Sequence, residues 1–186
     1  MSGSASARIT GLDEDMAALE QRFKAALAGA LPVLGKDMVA CLAEHIQSDV
    51  YGADFFPTDY ERRRENGGLL DMNGNTTVSP VGDDGIQMDY EPSGEVDPPD
   101  KYGNQDYLDG DALIGRIEHL NPDYNWTRHP PARPFFENFV TEMVEGVQAG
   151  ESGRAEKTLV RAMNQQDDGL KIEANGCTGR EGDEGY

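Results

Sequence analysis

The residues with most chemistry in them are potential ligands. Hard cations such as calcium take several oxygens from Asp, Asn and backbone carbonyls, and two stretches offer them. In Asp71-Met-Asn73-Gly-Asn75 side-chain oxygens fall at alternate positions, but Thr76 stands where an EF-hand loop wants Gly, and Gly82 where it wants Glu. Asn104, Asp106, Asp109 and Asp111 are acidic enough but misspaced. Both stretches read better as turns, in which short polar side chains and Gly suit the tight backbone. The three histidines, His45, His119 and His129, lie far apart with no His-Glu-x-x-His arrangement, and are expected at the surface or at helix ends. Cys41, inside a helical pattern, and Cys177, in a Gly-rich tail, make neither a disulfide framework nor a zinc spacing, which suits a reducing cytoplasm. There is no Gly-x-Ser-x-Gly elbow, no recognisable Cys-His pattern and no Gly-Lys-Ser/Thr phosphate loop. With 35 acidic residues a close carboxylate pair arises by chance and carries no information. The expectation is a protein without catalytic residues, metal site or cofactor.

Charge sets the next bound. The chain of 186 residues carries 35 Asp plus Glu against 16 Lys plus Arg, a formal net charge of -19. Free-standing nucleic-acid binding rests on Lys and Arg displacing counterions from phosphates, so a surface of this sign repels DNA. Arg62-Arg63-Arg64, flanked by Glu61 and Glu65, is the only basic cluster and is too small to alter that. The first sixteen residues hold no apolar signal-like core. The apolar run Ala25 to Leu34 is broken by Gly29 and Pro32 and falls short of the ~20 residues a spanning helix needs. No membrane is expected among the partners.

The elements that must position these residues follow from periodicity. Leu12, Met16, Leu19, Phe23, Leu27, Leu31, Leu34, Met38, Leu42, Ile46 and Val50 recur every three or four residues, the one-face pattern of a helix. Thr10 with Asp13, Glu14 and Asp15 suits its N-terminus, and Pro32 predicts a kink or a split into helices at about 13–30 and 33–50. Thr76 to Pro80 and Gly85 to Glu91 read as strands of a hairpin around Val81-Gly82-Asp83-Asp84-Gly85. Ile86, Met88 and Tyr90 should face a core, and Gln87, Asp89 and Glu91 water. Between Asp83 and Asp111 ten acidic residues meet one Lys, and Pro92, Pro98 and Pro99 favour extended backbone, so much of this is a solvated loop. Asp111 to Leu120 predicts a short helix. Pro134 opens another, with Phe135, Phe136, Phe139, Val140, Met143, Val144 and Val147 in a broad stripe, the three Phe being core residues. Ser152 to Gln166 predicts an amphipathic helix with Leu159, Val160 and Met163 on one face, and Leu170 to Ile172 a strand; Cys177 to Tyr186 should be disordered.

The resulting fold class is α+β: a long N-terminal helix or kinked helix pair and a C-terminal helix packed on a small curved antiparallel sheet, with long acidic loops. A flexible N-terminus (1–11) precedes a single domain (12–149) with an acidic insertion near 92–109. An extension (150–172) and a disordered tail (173–186) follow.

The order of short motifs then matters. Phe56-Pro57-Thr58-Asp59-Tyr60-Glu61-Arg62-Arg63-Arg64 and Gly67-Gly68-Leu69-Leu70-Asp71 lie between the long helix and the hairpin, and Arg133-Pro134-Phe135-Phe136 opens the closing helix. Over roughly 12–149 this resembles the head-tail joining (tail-completion or neck) proteins of tailed bacteriophages. Tyr60 and Arg62 match that family's Tyr-x-Arg loop, Gly68 and Leu69 the lead into its sheet, and Arg133, Pro134 and Phe135 the start of its last helix. Leu108 to Glu118 is similar to the segment preceding that helix. The insertion between Glu91 and Asp109 and the extension after Gln148 depart from the pattern.

The resemblance implies a structural virion protein, assembled in the host cytoplasm as a ring of six or twelve copies. Such a ring joins the head connector to the tail tube or tail terminator, and DNA passes through without specific binding. Tyr60, Arg62, Arg63, Asp106 and Asp109 are the expected contacts with neighbouring subunits or rings. Two readings of other classes compete: an acidic mimic of DNA that blocks a nucleic-acid-binding protein, and a calcium-binding module using Asp106 or Asp109.

Overall fold

The long apolar stripe folds as one element. In the computed structural model, which describes residues 12–52, 67–92, 114–115, 117–119, 132–145 and 151–174, helix α1 runs unbroken from Leu12 to His45 and continues as a π-helical turn, Ile46–Tyr51. The expected break at Pro32 does not occur. Pro32 removes one backbone hydrogen bond, but both Pro32 and Ala28, whose carbonyl loses its donor, are exposed, so water takes the vacant acceptor. Packing on either side holds the axis: Ala26 and Ala30 are buried before the proline, and Leu34, Cys41 and Leu42 after it. Being continuous, the helical span Glu14–Tyr51 is long and apolar enough to cross a membrane by length and composition, contrary to the sequence-based expectation. Its buried residues are nevertheless divided between two cores of the protein itself.

A single turn, α2 (Met72–Asn75), leads into the hairpin of β1 (Thr76–Val81) and β2 (Gly85–Tyr90). The strands pair antiparallel with Thr76 opposite Tyr90 and Val81 opposite Gly85, leaving a loop in which Gly82 takes a φ of 66°. Alternation places Ile86, Met88 and Tyr90 inward and Gln87 and Asp89 outward, as the sequence predicts. The hairpin lies across α1 at Gly35, where a Cβ would come within 2.8 Å of both Ile86 and Val78. Only a residue without a side chain allows that approach.

Helix α3 (Phe135–Val144) and helix α4 (Arg154–Gln166) complete the described fold, which is α+β. Pro134 sits just before α3, not at its first turn. The larger core joins Leu34, Cys41 and Leu42 of α1, the residues Ile46, Val50 and Tyr51 of the π turn, Leu69, Tyr90, Ile114, and Phe135, Phe139 and Met143 of α3. Phe136 is half-buried and stacks on Tyr90 at 6.5 Å between ring centroids, with Phe139 5.7 Å away on its other side. The smaller core sets Ala26 and Ala30 of α1 against Ala162 and Met163 of α4, closed by Leu170; Leu159 touches both cores. Small residues on α1 let the two helices approach closely.

Leu170 to Ile172 is not a strand. Its backbone is satisfied by a side chain: the Ile172 N–H donates to Asn164 Oδ1 at 3.0 Å, and Asn164 Nδ2 donates to the Ile172 carbonyl at 2.9 Å. An amide side chain with one donor and one acceptor mimics a neighbouring strand, so the segment needs no sheet.

Candidate functional site

Two features stand out on this scaffold: a polar clasp where α1, α3 and α4 meet, and an apolar stripe that is exposed among the described residues. The clasp centres on Arg154 in the first turn of α4. Its guanidinium donates to both Asp37 oxygens at 2.9–3.2 Å, and its Nη1 to Glu44 at 2.6 Å and Glu142 at 3.0 Å. Thr158, one turn along α4, donates to the same Asp37 at 2.7 Å. Positions 37, 41, 44 and 45 share one face of α1 by helical spacing, and 154 and 158 one face of α4.

A second branch leaves Glu142. His45 Nε2 lies 3.0 Å from Glu142 Oε2, and His45 Nδ1 3.3 Å from Asp49 Oδ2; Asp49 also accepts from Ser48 Oγ and Asn138 Nδ2. His45 stands at the end of α1 as the sequence suggests, but it is half-buried and not a plain surface residue. Burial pushes the Asp37 and Asp49 carboxyls upward. Hydrogen bonds from Arg154 and Thr158 in one case, and from Ser48, Asn138 and His45 in the other, outweigh it, so both end below the ordinary carboxylate range. The hydrogen bond from Arg154 likewise lowers Glu142, and the carboxylates together raise Arg154, Asp37 contributing most. Cys41 is fully buried beside this branch, and burial pushes its thiol up to about 12.

The stripe occupies the start of α1. Residues 14–25 are all exposed, among them Met16 at 58%, Leu19 at 47% and Phe23 at 44% of their surfaces. These three continue the apolar face that lower down the helix is core. The patch is thus three large apolar side chains on one helical face. Just below it Arg22 forms a two-pronged pair with Asp167 after the end of α4, at 2.6 and 2.8 Å, which marks where the body of the protein begins. Val140 and Val144 form a second exposed apolar patch on α3.

Of the residues singled out by sequence, Tyr60, Arg62, Arg63, Asp106 and Asp109 lie outside the described residues, as do Asn104, Asp111 and His129. His119 is exposed. Gly68 and Leu69 anchor the turn before the hairpin: the Gly68 carbonyl accepts from Asn75 Nδ2 at 2.7 Å and from the Asp71 N–H at 3.0 Å, and the buried Leu69 offers its carbonyl to Tyr90 Oη at 2.9 Å. Asp71 caps α2 through Gly74 N–H and also accepts from Gly67 N–H. Asp71 and Asn75 are thus used within the turn, the reading preferred over a calcium loop.

Arg133 donates its backbone N–H to the Ile117 carbonyl at 3.1 Å, and Phe135 is fully buried. Pro134 supplies no cap to α3; Glu118 does so from a distant part of the chain, accepting from Phe136 N–H at 2.7 Å and Glu137 N–H at 2.9 Å. Glu118→Ala should therefore cost about 1 kcal/mol, read as a fall of a few degrees in melting temperature, and Glu118→Gln less than half of that. Equal losses in the two variants would show that the oxygen acceptor is not what matters.

Sequence reasoning passed over Asp37, Asp49, Glu142 and Arg154, and assigned His45 no partner. The spacing of Cys41, His45 and Asp49, each four residues apart, is the one local signal that places three chemically able side chains on a single helical face.

No curated protein and no solved structure matches the chain. A family model does, over residues 12–166, a span that runs from the start of α1 to the end of α4 and so includes the stripe, the clasp, the larger core and the smaller one except Leu170 and Ile172. By that match the chain belongs to the YomN family and is a phage-related protein.

Proposed function

We propose that this protein is a structural component of a tailed phage virion, forming a homo-oligomeric ring at the neck that joins head connector to tail and surrounds the DNA channel. The observation that carries the reading is the stripe of Met16, Leu19 and Phe23, exposed among the described residues, on a helix of a phage-related protein. A ring is closed by heterologous contacts, in which one patch of a subunit meets a different patch of the next. The stripe and the Val140 and Val144 patch are two such unlike surfaces, and from Phe23 to Asp37, beside the end of α3, the rise along α1 is roughly 20 Å. The net charge of -19 supports the passage of DNA, since like charge disfavours a bound state on the phosphate backbone. Tyr60 and Arg62 are proposed as further contacts between subunits.

The test is the mass of the purified chain in solution, by light scattering with negative-stain imaging of the same fractions. Rings of six or twelve copies are expected, and Leu19→Glu with Phe23→Glu should convert them to monomers that melt within about 2 °C of the parent, because neither side chain supports the core. A chain that stays monomeric at every concentration, or rings indifferent to both substitutions, would sink the reading or the surface assigned to it, respectively.

A further inference from the structure

We propose that Cys41, His45 and Glu142 bind a divalent transition-metal ion, zinc by the chemistry of the ligands, which clips α1 to α3. Cys41 Sγ, a ring nitrogen of His45 and a Glu142 carboxylate oxygen all lie within 4.8 Å of one another. Cys41 and His45 are four residues apart on α1 and so project from one face, while Glu142 reaches across from α3. Thiolate, imidazole and carboxylate together are a donor set for a borderline-soft ion, whereas calcium and magnesium call for oxygen throughout.

Two of the three donors, His45 and Glu142, are oriented by a partner on the far side. His45 turns Nδ1 toward Asp49, 3.3 Å away, and Nε2 toward Glu142. This is the carboxylate-imidazole pairing that fixes the ring of a metal-bound histidine. Arg154 holds Glu142 by Oε1, so Oε2 is the oxygen left facing His45. The charge also suits a cation: Asp37, Glu44 and Glu142 share the Arg154 guanidinium, and Asp49 adds a further carboxylate beside His45.

A tetrahedral ion with bonds of about 2.1 Å sets its nitrogen and oxygen ligands roughly 3.4 Å apart, against the 3.0 Å now between Nε2 and Oε2. Binding therefore asks His45 and Glu142 to part by a few tenths of an ångström, and Cys41 Sγ, which lies within 4.8 Å of both, to come to roughly 3.6 Å from each. On binding, the Cys41 S–H bond is replaced by a sulfur-metal bond and its proton passes to solvent. Although Cys41 is buried, the His45 and Glu142 side chains keep 17% and 29% of their surfaces in contact with water and provide the way in. With three protein ligands the fourth position is left to water. The inference rests on this cluster alone and holds whether or not the chain forms a ring.

The experiment is a cobalt(II) titration of the full chain, purified without an affinity tag and freed of metal. One equivalent should produce a thiolate-to-cobalt charge-transfer band and the strong visible absorption of a tetrahedral ion, both abolished by one equivalent of zinc, and zinc alone should raise the melting temperature by several degrees. Cys41→Ser should remove the band, Asp49→Asn should weaken zinc binding about tenfold by loosening the imidazole, and Cys177→Ser should change nothing. The absence of a thiolate band in the unsubstituted protein would overturn the proposal without reference to any variant. A band that survives Cys41→Ser and disappears with Cys177→Ser would overturn it equally.

Discussion

Replacing Phe135 with alanine is expected to destabilise the protein by about 4 kcal/mol and lower its melting temperature by roughly 10 °C, the largest effect of any single core truncation. Phe135 is fully buried and heads the largest side chains in that state. It belongs to the cluster in which α1, the π turn, the hairpin and α3 meet, so its removal leaves a cavity bounded by elements distant in sequence. Those elements have no common way to collapse. Neighbouring Phe136 is the control: it is half-buried, its ring 6.4 Å from that of Phe135, and its truncation should cost about half as much. Chemical denaturation of the three proteins under identical conditions decides the matter. Equal losses at 135 and 136 would mean that the buried position is not the keystone of the cluster.

Arg154→Ala comes second, at about 3 kcal/mol, and its cost should depend on pH. Truncation leaves Asp37, Glu44 and Glu142 facing one another without their shared cation, and a broken partly buried pair is more harmful than an absent one. Asp37 and Glu142 have carboxyls held below the ordinary 3.8 and 4.5. A carboxyl lowered on folding contributes stability that is fully present above its unfolded value and is lost as pH falls through its folded value. The parent protein should therefore lose stability below about pH 4.5, and the gap between parent and variant should narrow over that same range. Urea melts at pH 7 and at pH 3.5 measure both. A gap that stays constant would show that Arg154 acts through packing and not through its charge.

Much of the scaffold is legible in the sequence because it depends on period alone. The alternation through Ile86, Met88 and Tyr90 fixes the hairpin face, and the three- and four-residue spacing from Leu12 to Val50 fixes a helix. What period cannot show is which part of a stripe finds a partner. Met16 and Leu42 satisfy the same pattern, yet one is exposed and the other buried, since Leu42 belongs to the core that α3 and the hairpin close and Met16 to neither core. The split expected at Pro32 does not occur for a related reason: a local penalty for proline is overridden where both flanks are fixed by tertiary contacts. The clasp was the least legible part. Arg154 and Asp37 are 117 residues apart, and in a chain with 35 acids no rule of spacing selects Asp37, Glu44 and Glu142 as its partners.

The uninterrupted α1 also has a mechanical meaning. At 1.5 Å per residue its 34 residues make a rod of roughly 50 Å, gripped over its middle and lower length by α4, the hairpin and α3, while among the described residues the end that carries Met16 and Phe23 is exposed. A load applied along the axis at that exposed end is carried in shear by the whole α1 and α4 seam at once, with Arg22 and Asp167 at its upper margin and Arg154 and Asp37 further down. Against a sideways load the weakest rung is at Pro32, where one backbone hydrogen bond is missing and the packing on either side alone holds the axis. The subunit is thus stiff along one direction and compliant across it.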